Sequence, residues 1–305
     1  MKKCVLICNP NSGHKNRKDL LTKFQTILNE YNYDAKIEYT KYAGHAERLV
    51  AELPDNLDLV ISLGGDGTCN EVVTGNLNRK KPLLLAHIPL GTTNDLGAMF
   101  GMGKNPEENL KMTLNGTVKN IDICKINNHP FVYVAGLGKF VDVAYDTPRN
   151  LKKNFGYFAY LINGFKSFNQ KTKLFEMTYE VNGETTTGLY SLVLIGNATR
   201  MAGLQFFQNV KLDDGQFEVL LSNFRTKADL VRSLYYFKTS DITKAPGFYY
   251  FKTDHLKIKL KEPPRKEWCI DGEMYNEHVK EFDISIIKDF KMLIPKKNID
   301  KIFVK

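Results

Sequence analysis

The rhythm of apolar and polar positions changes near residue 118. Before it, compact apolar runs alternate with helix-like stretches. The runs "CVLICN" (4–9), "AKIEYT" (35–40), "LDLVISL" (57–63) and "PLLLAHI" (82–88) predict strands. Helical stretches fall between them, near 15–30, 43–53 and 69–77. Short apolar runs separated by helices predict βαβ units and a parallel sheet. Right-handed crossovers then place the C-terminal end of every strand on one edge of that sheet. The turn-rich segments "NPNSG", "GGDGT" and "PLGTTND" all fall at such ends.

Beyond residue 118 the texture is β-rich, with "NIDICKI", "PFVYVAGLG", "LFEMTYEVNGE", "YSLVLIGNA", "HLKIKL" and "FDISIIK". Val210, Leu212, Phe217, Val219 and Leu221 alternate around "DDG", which predicts a hairpin. An antiparallel sandwich or barrel is expected, interrupted by helical stretches near 150–168 and 226–238. No internal repeat or low-complexity linker separates the two halves.

Length and composition fit this division. The 305 residues suffice for two modest domains, and 43% hydrophobic with 25% charged residues is ordinary for a soluble protein. The formal charge of +9 favours anionic partners: phosphates, acidic membranes or nucleic acid. The basic residues are scattered and accompany no nucleic-acid motif, so no nucleic-acid partner is expected. Cys4, Cys8, Cys69, Cys124 and Cys269 show no Cys-x-x-Cys spacing, which fits a reduced compartment. The opening "MKKCVLICNPNSG" stops too soon for a signal peptide. No apolar segment approaches the ~18 residues of a membrane helix. A cytoplasmic protein is expected, with peripheral contact to the inner face of the membrane.

The glycine-rich turns carry the chemistry. Phosphates need backbone N–H groups that approach closely, and glycine removes the steric bar. The helix that follows offers further N–H groups and a positive dipole end. "GGDGT" supplies Gly64, Gly65 and Gly67 with Thr68 as a cap, and "GTTND" repeats the plan with Gly91, Thr92 and Thr93. The chain lacks G-x-x-x-x-G-K-[ST], G-x-G-x-x-G and the protein-kinase H-R-D and D-F-G pair. Asp66 lies inside a phosphate turn, where a bare carboxylate would repel. It makes sense there if Mg²⁺ bridges it to the phosphates. Asp95 can share that duty or simply cap a turn, and Asn70 and Glu71 can each cap a helix. In "WCIDGEMY" (268–275), Asp271–Gly272 reads as a hairpin turn, or Asp271 or Glu273 reads as a general base.

In order along the chain, "NPNSG", Thr40 followed by "GHA", "GGDGTCNE", "PLGTTND", "KLDDG" and "IDGE" together resemble the diacylglycerol-kinase-like lipid kinases of the bacterial soluble type. The resemblance spans almost the whole chain. "GGDGT" alone is shared with NAD kinases and phosphofructokinases, whereas the ordered set is specific. It implies a Rossmann-like nucleotide-binding domain over about 1–120, completed by about 291–305, through "FKMLIP" or "KIFVK". A β-sandwich substrate domain would occupy 121–290, with the active site in the cleft between domains. The activity implied is phosphorylation of a lipid hydroxyl by ATP. Diacylglycerol leads as acceptor, followed by phosphatidylglycerol, sphingoid bases or an undecaprenol-like alcohol. An NAD-kinase-type activity or a non-catalytic lipid-binding protein are the alternatives.

By motif, Asn9, Pro10, Asn11, Ser12, Gly13, Thr40, Gly64, Gly65, Asp66, Gly67, Thr68, Cys69, Asn70 and Thr92 would contact ATP. Asp66 and Asp95 would organise catalytic Mg²⁺, with Asn94 beside them. Glu273 would accept the proton, with Asp271 competing for that role. Asp214 and the main-chain carbonyls of Lys211 and Gln216 would hold a second, structural Mg²⁺. The segment "NFGYFAYLINGFKSF" (154–168) either lies at an anionic membrane surface or packs on the sandwich. The resemblance also admits a homodimer.

Overall fold

The computed structural model describes residues 1–10, 12, 17–138, 174–201, 203–226, 242–264, 268–275 and 279–304, with residues 228, 229, 232, 235 and 236 between them. The expected helix at 154–168 lies outside the described residues, as does most of that near 226–238. The chain forms two compact units, Met1–Ile121 with Lys288–Lys305, and Asp122–Ile287.

Unit 1 begins with β1 (Lys2–Cys8), α1 (Arg17–Glu30), β2 (Tyr33–Tyr39), α2 (His45–Ala51), β3 (Leu59–Gly64) and α3 (Asp66–Leu77). It continues with β4 (Leu85–Pro89), α4 (Asp95–Met99) and α5 (Pro106–Leu114). The strands are parallel in the order β2-β1-β3-β4. β3 and β4 are buried throughout, as strands covered on both faces must be. On one face Leu59, Ile61, Leu63, Ala86 and Ile88 join α1 in a single apolar cluster. Leu20, Leu21, Phe24, Ile27 and Leu28 form the buried stripe of α1, at the spacing of one helical face. α5 opens with Pro106 behind Asn105, whose side chain accepts the Glu107 N–H at 3.0 Å. The late segment "FKMLIP" returns to this sheet: Met292 pairs in parallel with Leu85.

The chain leaves unit 1 in β5 (Thr117–Ile126) and continues through β6 (His129–Phe131), β7 (Val134–Gly138), β8 (Phe175–Val181) and β9 (Glu184–Tyr190). Next come β10 (Leu192–Gly196), β11 (Arg200–Met201), β12 (Leu204–Gln205), β13 (Phe217–Ser222) and β14 (Phe248–Thr253). The last strands are β15 (His255–Leu260), β16 (Trp268–Ile270), β17 (Glu273–Tyr275) and β18 (Glu281–Ile294). In unit 2 one sheet runs β14-β13-β10-β7-β16-β17. A second joins β18, β15, β8 and β9, antiparallel throughout. Val193, Ile195, Val219 and Trp268 from the first sheet and Met177, Leu256, Ile258 and Phe282 from the second share one core. Two sheets packed through inward side chains make the expected sandwich.

One expectation fails. No hairpin forms around "DDG": residues 210–216 are a turn, and β13 pairs with β10 and β14 instead. β13 is buried at every position, so its apolar residues serve two faces and the apparent alternation carries no pairing information.

Candidate active site

In unit 1 the loops at the sheet's C-terminal edge are stitched together by short-range contacts. The Asn9 N–H donates to the Leu63 carbonyl at 3.1 Å, and its Nδ2 donates to Thr68 Oγ1 at 3.2 Å. Ser12 closes the turn by donating its N–H and hydroxyl to the Asn9 carbonyl. Arg17, at the start of α1, donates to the Pro10 and Ser12 carbonyls. The Thr40 N–H donates to the Cys8 carbonyl at 3.0 Å, which brings the loop after β2 alongside. Asn11 and Gly13 lie outside the described residues.

The two glycine turns meet directly. The Leu90 N–H donates to the Gly64 carbonyl at 2.6 Å. A Cβ on Gly91 would stand 2.6 Å from Gly65 Cα and 2.8 Å from Asn94 Oδ1. A Cβ on Gly64 would stand 2.5 Å from Thr68 Oγ1. Glycine is therefore required by close approach at both positions. Asn94 adopts φ +52°, accepts the Gly91 N–H at 2.7 Å and donates back to the Gly91 carbonyl at 3.0 Å. Its side chain locks the "GTTN" turn.

Asp66 reaches across from the first turn to the second. Its carboxylate accepts the Asp95 N–H at 3.1 Å, the Leu96 N–H at 3.3 Å and the Thr93 hydroxyl at 3.3 Å. These groups form the opening of α4, where the partial positive charge favours an anion. Burial pushes the Asp66 carboxyl above its ordinary range, and these hydrogen bonds pull it back. Asp95, the first residue of α4, is fully buried.

Two unit 1 residues play parts other than those their local sequence suggests. Glu71 caps a helix, but the cap belongs to α2: its Oε2 accepts the Ala46 N–H at 3.0 Å. α3 and α2 lie so close that a Cβ on Gly75 would stand 2.2 Å from the Glu47 carbonyl oxygen. His87 looked like part of an apolar strand. It is buried beside Ser62, and burial holds its imidazole down at about 4.

In unit 2, Asp271 and Glu273 part company. Asp271 and Gly272 have φ of +47° and +88° and form the tight turn between β16 and β17. The Asp271 carboxylate is 4% exposed and accepts the N–H groups of Val132, Tyr133 and Val134 at 2.6, 3.0 and 2.9 Å. Glu273 is exposed on β17.

The "KLDDG" turn is held by Asp122, which the sequence reading passed over inside "NIDICKI". Asp122 Oδ2 accepts the Gly215 N–H at 2.7 Å, and its N–H donates to the Leu212 carbonyl at 2.6 Å. Asp214 accepts the Gln216 N–H at 3.1 Å and lies 3.3 Å from Lys252 Nζ. Lys252 also meets Glu218 at 3.0 Å, and burial pushes that 1%-exposed carboxyl up to about 7. The cation facing Asp214 in this structure is thus an ammonium. Lys211 and Gln216 flank the turn.

Among the described residues no group of three or more His, Cys, Asp or Glu side chains is arranged to hold a metal. Mg²⁺ does not require such a cage, because it keeps waters and takes one or two carboxylates plus substrate phosphates. Asp66 and Asp95 meet that description: hard oxygen donors, buried, on adjoining glycine turns. Asp214 suits a second ion less well while Lys252 neutralises it.

Residues 3–126 match the diacylglycerol kinase catalytic domain. A diacylglycerol kinase of Staphylococcus saprophyticus is 30% identical over 84% of this chain and 85% of its own length. One from Staphylococcus aureus is 32% identical over 84% of this chain and 82% of its own. A solved Bacillus anthracis structure assigned to the diacylglycerol kinases covers 97% of this chain and 96% of that one, with a TM-score of 0.82 at 26% identity. Among the described residues no helix is long and apolar enough to cross a membrane. With the glycine turns, the buried Asp66 and these relatives taken together, the chain belongs to the diacylglycerol kinase family of lipid kinases, enzymes that phosphorylate an alcohol acceptor.

Proposed function

We propose that this protein transfers the γ-phosphoryl group of ATP to the free hydroxyl of diacylglycerol, forming phosphatidic acid and ADP. The observation that carries the reading is the contact of the two glycine turns, with the buried Asp66 carboxylate spanning them. The turns after β3 and β4 would offer backbone N–H groups to the phosphates. Thr40, Thr68 and Asn9 line the same edge of the sheet and would orient the nucleotide. Asp66 and Asp95 would hold Mg²⁺, which supplies charge neutralisation at the transferring phosphoryl group when bound.

Glu273 draws off the hydroxyl proton as the new O–P bond forms and the bond to the β-phosphate oxygen breaks. Its exposure on β17 keeps it accessible to an acceptor hydroxyl. The net charge of +9 would favour approach to an anionic membrane surface, where the lipid resides. The test is transfer of labelled phosphate from MgATP to a panel of lipids in mixed micelles, with NAD as a soluble control. Labelled phosphatidic acid is expected. Labelling of NAD alone, or of no acceptor, would contradict the reading.

A further inference from the structure

Asp271 is more tightly held than a proton acceptor should be. Its Oδ1 accepts two N–H groups, from Tyr133 and Val134, and its Oδ2 accepts a third from Val132 at 2.6 Å. Its own N–H donates to the Val134 carbonyl at 2.8 Å. To act as a base, one of these oxygens would have to become an O–H facing an N–H donor, which exchanges a hydrogen bond for a repulsion. The same four bonds do something else. They fasten the β16–β17 turn to the segment that joins β6 to β7, and the Cys269–Gly136 and Ile270–Ala135 pairs continue the attachment.

The other end of the hairpin has its own anchor. Tyr275 packs its ring against His129, with centroids 4.9 Å apart. Glu273 lies between the two anchors, directly across from Ile270. Among the described residues β17 is the last strand in the order of its sheet, next to β16. A two-stranded hairpin is marginal on its own, so contacts at its turn and its far end set its orientation.

We propose that Asp271 is a positioning residue for phosphoryl transfer: it fixes the turn from which Glu273 receives the acceptor's proton. The inference rests on the lipid-kinase reading and deepens it. Asp271 contacts no reacting atom. It acts by removing freedom from the hairpin, so that the Glu273 carboxylate is held in place before the acceptor arrives. Displacement of a reacting group by about 1 Å costs on the order of 10²-fold in rate.

The experiment compares Asp271→Asn with Glu273→Gln in the full chain, using MgATP and dioleoylglycerol in mixed micelles across a range of pH. Asparagine tolerates φ > 0 and keeps one acceptor oxygen, but it turns an amide N–H₂ toward the Val132 N–H. Asp271→Asn is expected to lower kcat on the order of 10²-fold. The KM for ATP should stay unchanged, and so should the position of the acid limb of the pH–rate profile. Glu273→Gln is expected to remove that limb. Loss of the limb in Asp271→Asn with its survival in Glu273→Gln would overturn the proposal, as would a wild-type kcat in Asp271→Asn.

Should Asp271→Asn fail to fold, Gly272→Ala loads the same turn. Its φ of +88° strains alanine, although the nearest atom to the added Cβ, Tyr133 Oη, is 3.8 Å away. The same selective loss of kcat is expected, and a wild-type kcat overturns the proposal. A wild-type enzyme inactive on every lipid would sink the kinase reading and leave the hairpin's anchoring still measurable. Amide exchange at Glu273–Tyr275 must then rise in either variant, and unchanged protection there overturns the proposal.

Discussion

Asp66 in unit 1 and Asp271 in unit 2 are both buried carboxylates, and each accepts three hydrogen bonds. The bonds differ. Those to Asp66 run from 3.1 to 3.3 Å and come from the rim of a turn and the start of α4. Those to Asp271 run from 2.6 to 3.0 Å and come from three consecutive backbone amides. Charge-assisted N–H···O bonds are strongest near ~2.7–2.9 Å. Asp271 is thus saturated, while Asp66 is held in place by long bonds that a cation can supplement. A carboxylate next to glycine turns keeps capacity for chemistry, and one wrapped in its own backbone serves the fold.

This contrast can be broken by truncating each side chain. Asp66→Ala is expected to reduce phosphoryl transfer by more than about 10³-fold, the scale of losing a principal electrostatic group. Its cost in stability should be only ~1–2 kcal/mol, that of a lost helix cap. Asp271→Ala is expected to cost far more stability than Asp66→Ala, in addition to the activity lost when Glu273 is no longer held in place. It strands three buried N–H groups at about 1–3 kcal/mol each, so chemical denaturation should show a loss of several kcal/mol. Equal stability losses in the two variants would remove the distinction.

Lys252 sharpens the comparison within unit 2. It faces Asp214 and the 1%-exposed Glu218 together. Lys252→Met leaves buried negative charge unpaired and should cost about 3–5 kcal/mol in denaturant unfolding. A loss of less than about 1 kcal/mol would instead be that of an exposed ion pair.

The smallest expected effect is a pH dependence in unit 1. Folding holds His87 at about 4 against an ordinary value of 6.5, because burial penalises the imidazolium. The unfolded chain therefore takes up a proton that the folded chain refuses as pH falls from 6.5 towards 4. The stability at stake is fully present above 6.5 and is lost across that window, to a limit of about 3 kcal/mol. Thermal unfolding of wild type and His87→Gln across that range should converge in acid. Parallel curves would refute the account.

Much of the fold was legible because local pattern and burial agree. β15 alternates strictly between exposed and buried residues, as "HLKIKL" reads. β3 and β4 are continuously buried, mostly apolar runs that end in glycine turns. β9 was harder, since "ETTTGLY" offers almost no apolar face and only Tyr190 is buried. The false hairpin at "DDG" arose because a strand buried on both faces imitates alternation.

The candidate site divides the same way. Gly64, Gly91, Asp66 and Asn94 act within or between neighbouring turns, and their residue types announce the turn. Asp122 grips Gly215 from 93 positions away, Glu71 caps a helix 25 positions upstream, and Asp271 holds amides 137 to 139 positions earlier. Periodicity and turn chemistry do not encode partners at that range. Only the folded chain separates Asp271 from Glu273.

The most direct test of the central claim is the appearance of phosphatidic acid from MgATP and dioleoylglycerol, followed by mass, with wild-type protein and Asp66→Ala side by side. The account predicts product from wild type and essentially none from the folded variant. Comparable product from both would contradict it.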